Sequence, residues 1–277
     1  MGIEVKIFPN AQVVGSDRDS IEAVTLGEID MTSVAELQFA PNIKEFYVFN
    51  ADYLFDDLKD AKAKLDGEQG DLLKKAADDK NMGVKVAAFF GSSGRIFWNN
   101  VREVNTLADF QGIKSRAPEN PINIAELEAL GCIPTPMAWN ELYTGLQQGT
   151  VDGLVSSKMP IIQQGLIDVL KYATDTNHSY SINVILISSA KYNSFSEEQR
   201  AAYDKAIAGA AEEEWKIAMK EEEDSVQKIK ELQEQGKILY TELTDEARAE
   251  IKEAMVAATE PKVEEMCGKE ILETFRN

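Results

Sequence analysis

The sequence predicts an α/β protein, on three observations. Strand-like apolar segments alternate with helical stretches along most of the chain. One of them, Val184-Ile185-Leu186-Ile187, is fully apolar and rich in β-branched residues, as a central strand buried on both faces requires. From Ser196 the pattern changes to a single helix expected to run to about Gln235, several times the mean helix length and long enough to cross more than one lobe. The 277 residues, 44% hydrophobic and 28% charged, leave room for one large domain or two lobes of roughly 100–150 residues each.

Taken in order, residues 3–8, IEVKIF, alternate apolar and polar as a half-buried strand does, and Pro9-Asn10 ends it. A helix is expected from Asp17 or Asp19, with Ile21, Val24 and Leu26 on one face and Gly27 closing it before strand-like Ile29–Thr32. A longer helical stretch covers about 56–80, followed by a mostly buried strand over Val84–Phe90. The glycines and asparagines of 91–116 read as loop. Beyond them come a helix over about 122–130, a short strand ending at Pro134 or Pro136, and a helix N-capped by Asn140 and stopped at Gly149. Val151–Val155 reads as a short strand. Ser196 with Gln199 forms the capping box of the long helix, and Gly236 ends it. After strand-like Lys237–Tyr240, Thr244 caps one more helix, and Pro261 opens or kinks the last.

Charge excludes several functions. With 48 Asp+Glu against 29 Lys+Arg the formal charge is −19. Nucleic-acid affinity comes mostly from Lys and Arg neutralising phosphates, so no nucleic-acid partner is expected. The same charge opposes docking on an anionic membrane, and no run approaches the ~20 apolar residues of a spanning helix. Cys132 and Cys267 lack a CxxC or Cys/His partners, which speaks against zinc and a redox motif. One disulfide between them stays open; two buried free thiols is the commoner outcome. The start, MGIEVKIFPNAQ, has no positive region followed by an apolar stretch, so the chain as written is expected to stay where it was made.

No catalytic signature is found. His178, the one histidine, leaves no Ser–His or Cys–His pair at any other position, and HExxH, GxSxG and a Walker loop are absent. Gly91-Ser92-Ser93-Gly94 is too short for a dinucleotide fingerprint. The carboxylates of 197–253 lie at helical spacing and read as a solvated face. Neither a cofactor nor a metal site is expected.

Four segments carry a resemblance: IFPNAQVVGSDRDSIEAVTLGEIDMT (7–32), DFQGIKSRAPEN (109–120), LGCIPTPMAWNELYTGLQQGTVDG (130–153), and TNHSY with the acidic helix after FSEEQR. In this order they resemble the solute-binding proteins of tripartite ATP-independent periplasmic (TRAP) transporters, the DctP-type family. Residues 134–153 are the most specific, since a Pro-x-Pro-Met turn, an aromatic, Glu-x-Tyr and Gln-x-Gly-x-x-Asp-Gly rarely coincide. The resemblance implies a two-lobed α/β periplasmic-binding-protein-like fold with the long helix crossing both lobes. Lobe I would hold 1–93 plus about 182–221, and lobe II 94–181 plus about 222–277. It further implies a non-catalytic, monomeric receptor that closes on a small organic-acid anion and hands it to a TRAP membrane permease outside the cytoplasm, which presupposes an export signal. C4-dicarboxylate is the default ligand, with aromatic and keto acids next.

By the same resemblance Arg116, in the Gly-x-Lys-x-Arg segment, pairs with the ligand carboxylate through its planar fork of donors. Arg95 occupies the loop of a second ligand-facing arginine, Trp139 the place of a ring that lids the ligand, and Ser156 that of an asparagine which hydrogen-bonds it. Ser33 and Glu36 are expected as polar contacts from the other lobe. His178 matches a histidine of the inter-lobe crossover, a hinge position, where relatives pair it with a glutamate that is Val155 here. A second departure is at the front: by the resemblance, about 30 residues, a complete strand–helix unit, are expected before residue 7 and are lacking in the sequence as written. Two rival readings share the scaffold, a cytoplasmic enzyme and a sensory binding module.

Overall fold

The computed structural model describes residues 3–9 and 12–277. Among them are seven strands: β1 Met31–Ala35, β2 Val84–Asn99, β3 Lys114–Ala117, β4 Ile133–Pro136, β5 Gly153–Ser157, β6 Tyr172–Ser188 and β7 Leu239–Thr241. They form one mixed sheet in the order β1-β6-β2-β5-β3-β4, with β7 beside β6. Pairings among β1, β6, β2 and β5 are antiparallel, whereas β3 runs parallel to β4 and β5, and β7 parallel to β6.

The two long strands organise the molecule. β2 has 16 residues and β6 has 17, and they pair from Val84–Ser188 at one end to Asn99–Tyr172 at the other. Their first-lobe halves contribute Val84, Val86, Phe89, Val184 and Leu186 to a core with Val24, Phe39, Phe46, Phe49 and Leu73. The other halves serve two cores on opposite faces, because side chains alternate along a strand. Ile96 and Trp98 pack with Leu142, Leu146 and Leu154, while Phe97 packs with Phe110, Leu127 and Ile251. Between these halves the register shifts at Gly91/Gly94 and again at Arg95/Phe97. The two-lobed α/β fold expected of the chain is therefore built on a shared, bulged ribbon.

The glycines of 91–94 do not open a loop. Within a strand a glycine commonly marks a bulge or a close approach, and here β2 continues through them to Asn99. The expected helix of 56–80 is two helices, Leu58–Leu65 and Glu68–Lys80, divided at Asp66-Gly67. Residues 3–8 do not form the expected strand: no described strand pairs with them, and Ile3, Val5, Ile7 and Phe8 are exposed. Asn10, expected to help end that strand, lies outside the described residues. Asn140 is not an N-cap; it sits in a 3-10 turn, Trp139–Glu141, that runs into the helix Leu142–Gln148. Pro261 lies inside the helix Asp245–Cys267, and the last helix begins at Lys269 after Gly268.

Other local signals read directly into structure. Ser16 caps the helix Asp17–Leu26, which ends on left-handed Gly27. Ser196 and Gln199 form the capping box of the helix Glu197–Glu234, 38 residues long. This helix buries Trp215 and Ala218 in the first-lobe core and Ile229 and Leu232 in the core around Trp98. Its carboxylates also reach the strand bulges: Gly91 N–H donates to Glu214 and Gly94 N–H to Glu222, each at 2.9 Å. The helix Asp245–Cys267 likewise divides its contacts, with Ile251 and Met255 in the core around Phe97 and Val263 and Cys267 in the first-lobe core, joined there by Leu272 and Phe275. Both cysteines are buried free thiols.

Gly91 is where the long helix comes closest to the ribbon. A Cβ there would stand 2.4 Å from Cζ3 of Trp215, whose indole N–H donates to the Phe89 carbonyl at 3.0 Å. Gly91→Ala is expected to lower stability by about 1–3 kcal/mol through overpacking. Gly209→Ala, on the same helix with nothing within 4 Å of its Cβ position, should instead raise it by roughly 1 kcal/mol. Urea denaturation of the two variants checks both signs.

Candidate functional site

Arg116 and Arg95 stand on strands that flank β5. Arg116 lies opposite Leu154 and Thr135, where β3 runs parallel to its neighbours; Arg95 lies opposite Ser157 and Ser179. Parallel strands direct their carboxyl ends to the same edge, where ligands of open α/β sheets gather. Arg116 is half-buried. Its Nε donates to the Met137 carbonyl at 2.9 Å, and its guanidinium carbon is 5.7 Å from the Trp139 ring centroid. Among the described residues no carboxylate lies within ion-pair distance of it. Burial, and then the positive charge of Arg95, pull its pKa down to about 10. It remains a cation at neutral pH, held in place by a carbonyl and a ring and lacking a counter-ion.

Arg95 is held differently. Its Nη2 donates to Glu36 Oε1 at 2.7 Å and its Nε to Ser181 Oγ at 2.8 Å. Ser181 Oγ is in turn 2.9 Å from Ser157 Oγ, which bonds to the Ser93 carbonyl. Glu36 follows β1 directly and is fully buried. That burial pushes its carboxyl up from the usual range, while Arg95 acts in the opposite direction. Its second oxygen, Oε2, is buried without a hydrogen-bond partner.

The fold thus joins Arg116 with Trp139, and Arg95 with Glu36, and brings the two arginines close enough to act on each other. Trp139 is half-buried and donates its indole N–H to Gln164 Oε1 at 2.9 Å. Ser156 is buried on β5 opposite Ile96, where its carbonyl accepts the Trp98 indole N–H at 3.1 Å. Ser33 is exposed on β1 opposite Ile185. Neither serine has a hydrogen bond to the arginines. Three further contributors went unread in the sequence: the Met137 carbonyl, Ser181, and Asp17, whose Oδ2 accepts the Ala35 N–H at 3.1 Å beside Glu36. For Ser181 the strand alternation through Ser179 and Ser181 was the available signal. A surface cavity of about 530 Å³, lined in part by Lys44, Leu72, Lys75 and Ile271, includes none of these residues.

His178 lies on β6 and is buried, with Nδ1 2.9 Å from Thr176 Oγ1 and Nε2 3.3 Å from Glu126 Oε1. Glu126, on the helix Pro121–Ala129, is thus the acid next to the imidazole. Asp52 completes the group, accepting from Thr259 Oγ1 at 2.8 Å. Asp52, Glu126 and His178 bring one donor atom each within 4.8 Å of one another, the one set of three metal-ligating side chains among the described residues. Nothing in their sequence spacing announced it.

The family described as bacterial extracellular solute-binding protein, family 7 (DctP) matches residues 2–266. The chain belongs to this family. It is 28% identical to the C4-dicarboxylate-binding periplasmic protein DctP of Rhodobacter capsulatus, across 97% of this chain and 79% of that protein. A TRAP periplasmic solute-binding protein of Sulfurospirillum deleyianum, solved with bound succinate, superposes with a TM-score of 0.90 at 26% identity, covering 99% of this chain and 87% of that one. The sugar acid binding protein DctPAm of Advenella mimigardefordensis, in complex with galactonate, gives 0.87 at 29% identity over 95% and 83% of the two chains. Family 7 thus unites solute-binding proteins of one fold and differing organic acids. No helix of the described residues is long and apolar enough to cross a membrane.

The buried cluster makes a pH prediction. Burial, and next the charge of Glu126, push the Asp52 carboxyl up to about 7. Between the ordinary aspartate value and 7 the folded state then binds more protons than the unfolded state, so this group's contribution to stability falls as pH rises through that window. Asp52→Asn removes the titration. Relative to the parent, the variant should gain stability from pH 5 to pH 8, by on the order of 2–3 kcal/mol. Chemical denaturation at several pH values reads this gain; a difference independent of pH would refute it.

Proposed function

We propose that the chain is the substrate-binding component of a TRAP transporter, capturing a small organic-acid anion between its lobes and delivering it to the membrane permease. The observation that carries this reading is Arg116: a half-buried guanidinium fixed by the Met137 carbonyl and the Trp139 ring with no acid of its own. A planar fork of donors in that setting matches a carboxylate bidentately. Shelter from water strengthens the contact. Relatives solved with succinate and galactonate support an organic acid as the class. Trp139 would cover the ligand, Ser156 and Ser33 would line the cleft, and Arg95 with Glu36 would face its far end.

The lobes would close by bending at the register shifts of β2 and β6, near Gly91–Phe97 and Thr174–Ile182. In this proposal lobe I is residues 1–93 with about 182–221, lobe II 94–181 with about 222–262, and the last residues return to lobe I with Val263, Leu272 and Phe275. His178 and its acidic partners sit at that seam as a hinge element. The protein would act as a monomer outside the cytoplasm and catalyse nothing, since His178 is enclosed by Thr176, Glu126 and Asp52.

A thermal-shift screen of dicarboxylates, keto acids, aromatic acids and sugar acids tests the reading. An acid at 100 times its Kd should stabilise the protein by about 2.7 kcal/mol. Arg116→Ala should weaken that acid at least 100-fold, about 2.7 kcal/mol, while leaving the ligand-free protein as stable or more so, since an uncompensated buried charge is removed. Failure of every carboxylate to stabilise the protein would sink the proposal.

A further inference from the structure

Away from the arginines, the buried set of Asp52, Glu126 and His178 gathers ligating side chains from a loop, the helix Pro121–Ala129 and β6. Their donor atoms, one from each, lie within 4.8 Å of one another. The Tyr53 N–H donates to the His178 carbonyl at 2.6 Å, which holds the neighbouring Asp52 against β6. His178 is 1% exposed, and its Nε2 is buried with no hydrogen-bond partner. That nitrogen stands 3.3 Å from Glu126 Oε1 in a geometry that makes no hydrogen bond. A buried polar atom left in this way is costly unless something else satisfies it.

Each of the three groups is oriented from behind. His178 Nδ1 is 2.9 Å from Thr176 Oγ1, so a proton on Nδ1 is donated there and the lone pair is left on Nε2. Glu126 Oε2 accepts from Asn123 Nδ2 at 3.1 Å, and Asp52 Oδ2 from Thr259 Oγ1 at 2.8 Å, which leaves the other oxygen of each carboxylate. Outer partners of this kind fix the tautomer and direction of metal ligands. Charge points the same way. Two carboxylates and a neutral imidazole carry two negative charges, and among the described residues no lysine or arginine is ion-paired with either carboxylate: Arg276 is engaged by Glu260 at 3.0 Å and Arg248 by Asp175 at 3.4 Å. A tetrahedral zinc with bonds of about 2.0–2.1 Å sets neighbouring donors roughly 3.3 Å apart, which is the separation of Nε2 and Oε1. An imidazole among carboxylates suits zinc and its neighbours, whereas magnesium and calcium take oxygen ligands. We propose that Asp52, Glu126 and His178 bind one divalent cation of the zinc class, with water completing its coordination. The ion pins the loop of Asp52 to the helix Pro121–Ala129 and to β6, and it enters when these elements part. This site does not depend on the Arg116 reading, and the pH dependence derived above for Asp52 belongs to the metal-free protein.

The test uses the whole chain, stripped with a chelator, exposed to Zn²⁺ and passed through gel filtration. One zinc per chain should be retained, and added Zn²⁺ should raise the melting temperature where the same concentration of Mg²⁺ does not. Asp52→Asn and His178→Gln should each weaken Zn²⁺ at least 100-fold, while Asp71→Asn, on a side chain 79% exposed, should leave it unchanged. His178 is the one histidine of the chain, so ¹⁵N-labelled histidine reports ligation with no variant at all: its Nε2 resonance should shift until one equivalent is bound. Zinc that washes away, a stationary Nε2 resonance, or affinity unchanged by Asp52→Asn in a variant that melts as a folded protein each overturns the inference. Zinc lost equally on Asp71→Asn overturns it too, since the surface carboxylates are then the binders.

Discussion

The antiparallel pairing of β2 with β6 is the constraint on which the rest of the molecule depends. Two strands of 16 and 17 residues run through both lobes, so each lobe is completed by chain that belongs to the other. The shared ribbon cannot be rigid and regular throughout, and its register shifts at the seam supply the irregularity. Arg95 sits at one shift, while His178 lies in the stretch of β6 that the second shift bypasses. Arg95 and His178 thus lie on the part of the ribbon between the cores, which the helices Glu197–Glu234 and Asp245–Cys267 also span.

Electrostatics adds a second constraint. A protein of formal charge −19 repels anions over most of its surface, yet belongs to a family that binds acids. The acidity of the long helix is largely solvated, and where it turns inward it is already engaged: Glu214 accepts from Gly91 and Glu222 from Gly94 and Lys158. Arg116 is left as a local positive centre whose field is not cancelled within its own surroundings. A cleft with low-dielectric walls concentrates such a field where the global charge would otherwise dilute it.

The buried histidine of β6 gathers acids from distant parts of the chain. The resemblance places a partner glutamate beside the Asp-Gly motif, where Val155 stands in this chain. The acid instead comes from Glu126 on a helix, and Asp52 from the first lobe enters the same buried volume. Burying two carboxylates beside one imidazole is costly unless a proton is retained, and burial with the neighbouring Glu126 pushes the Asp52 carboxyl up to about 7.

Much of the fold was legible because its signals are local. Capping by Ser16, Ser196 and Thr244, the stop at Gly27 and the apolar run of Val184–Ile187 each act within a few residues of themselves. The Gly-x-Lys-x-Arg and Pro-x-Pro-Met segments marked Arg116 and Trp139 for the same reason. Glycines 91 and 94 misled, since a bulge and a loop use the same residue and only a strand partner distinguishes them. Residues 3–8 carry strand alternation with no described partner, and alternation without a ladder does not make a strand. Sequence by itself determined the α/β class and the family; tertiary structure alone decided that Glu36 pairs with Arg95 and that Glu126 and Asp52 meet at His178. Local patterns act through the backbone over one or two turns, whereas side-chain contacts between residues 59 or 52 positions apart exist only after the ribbon has brought their elements together.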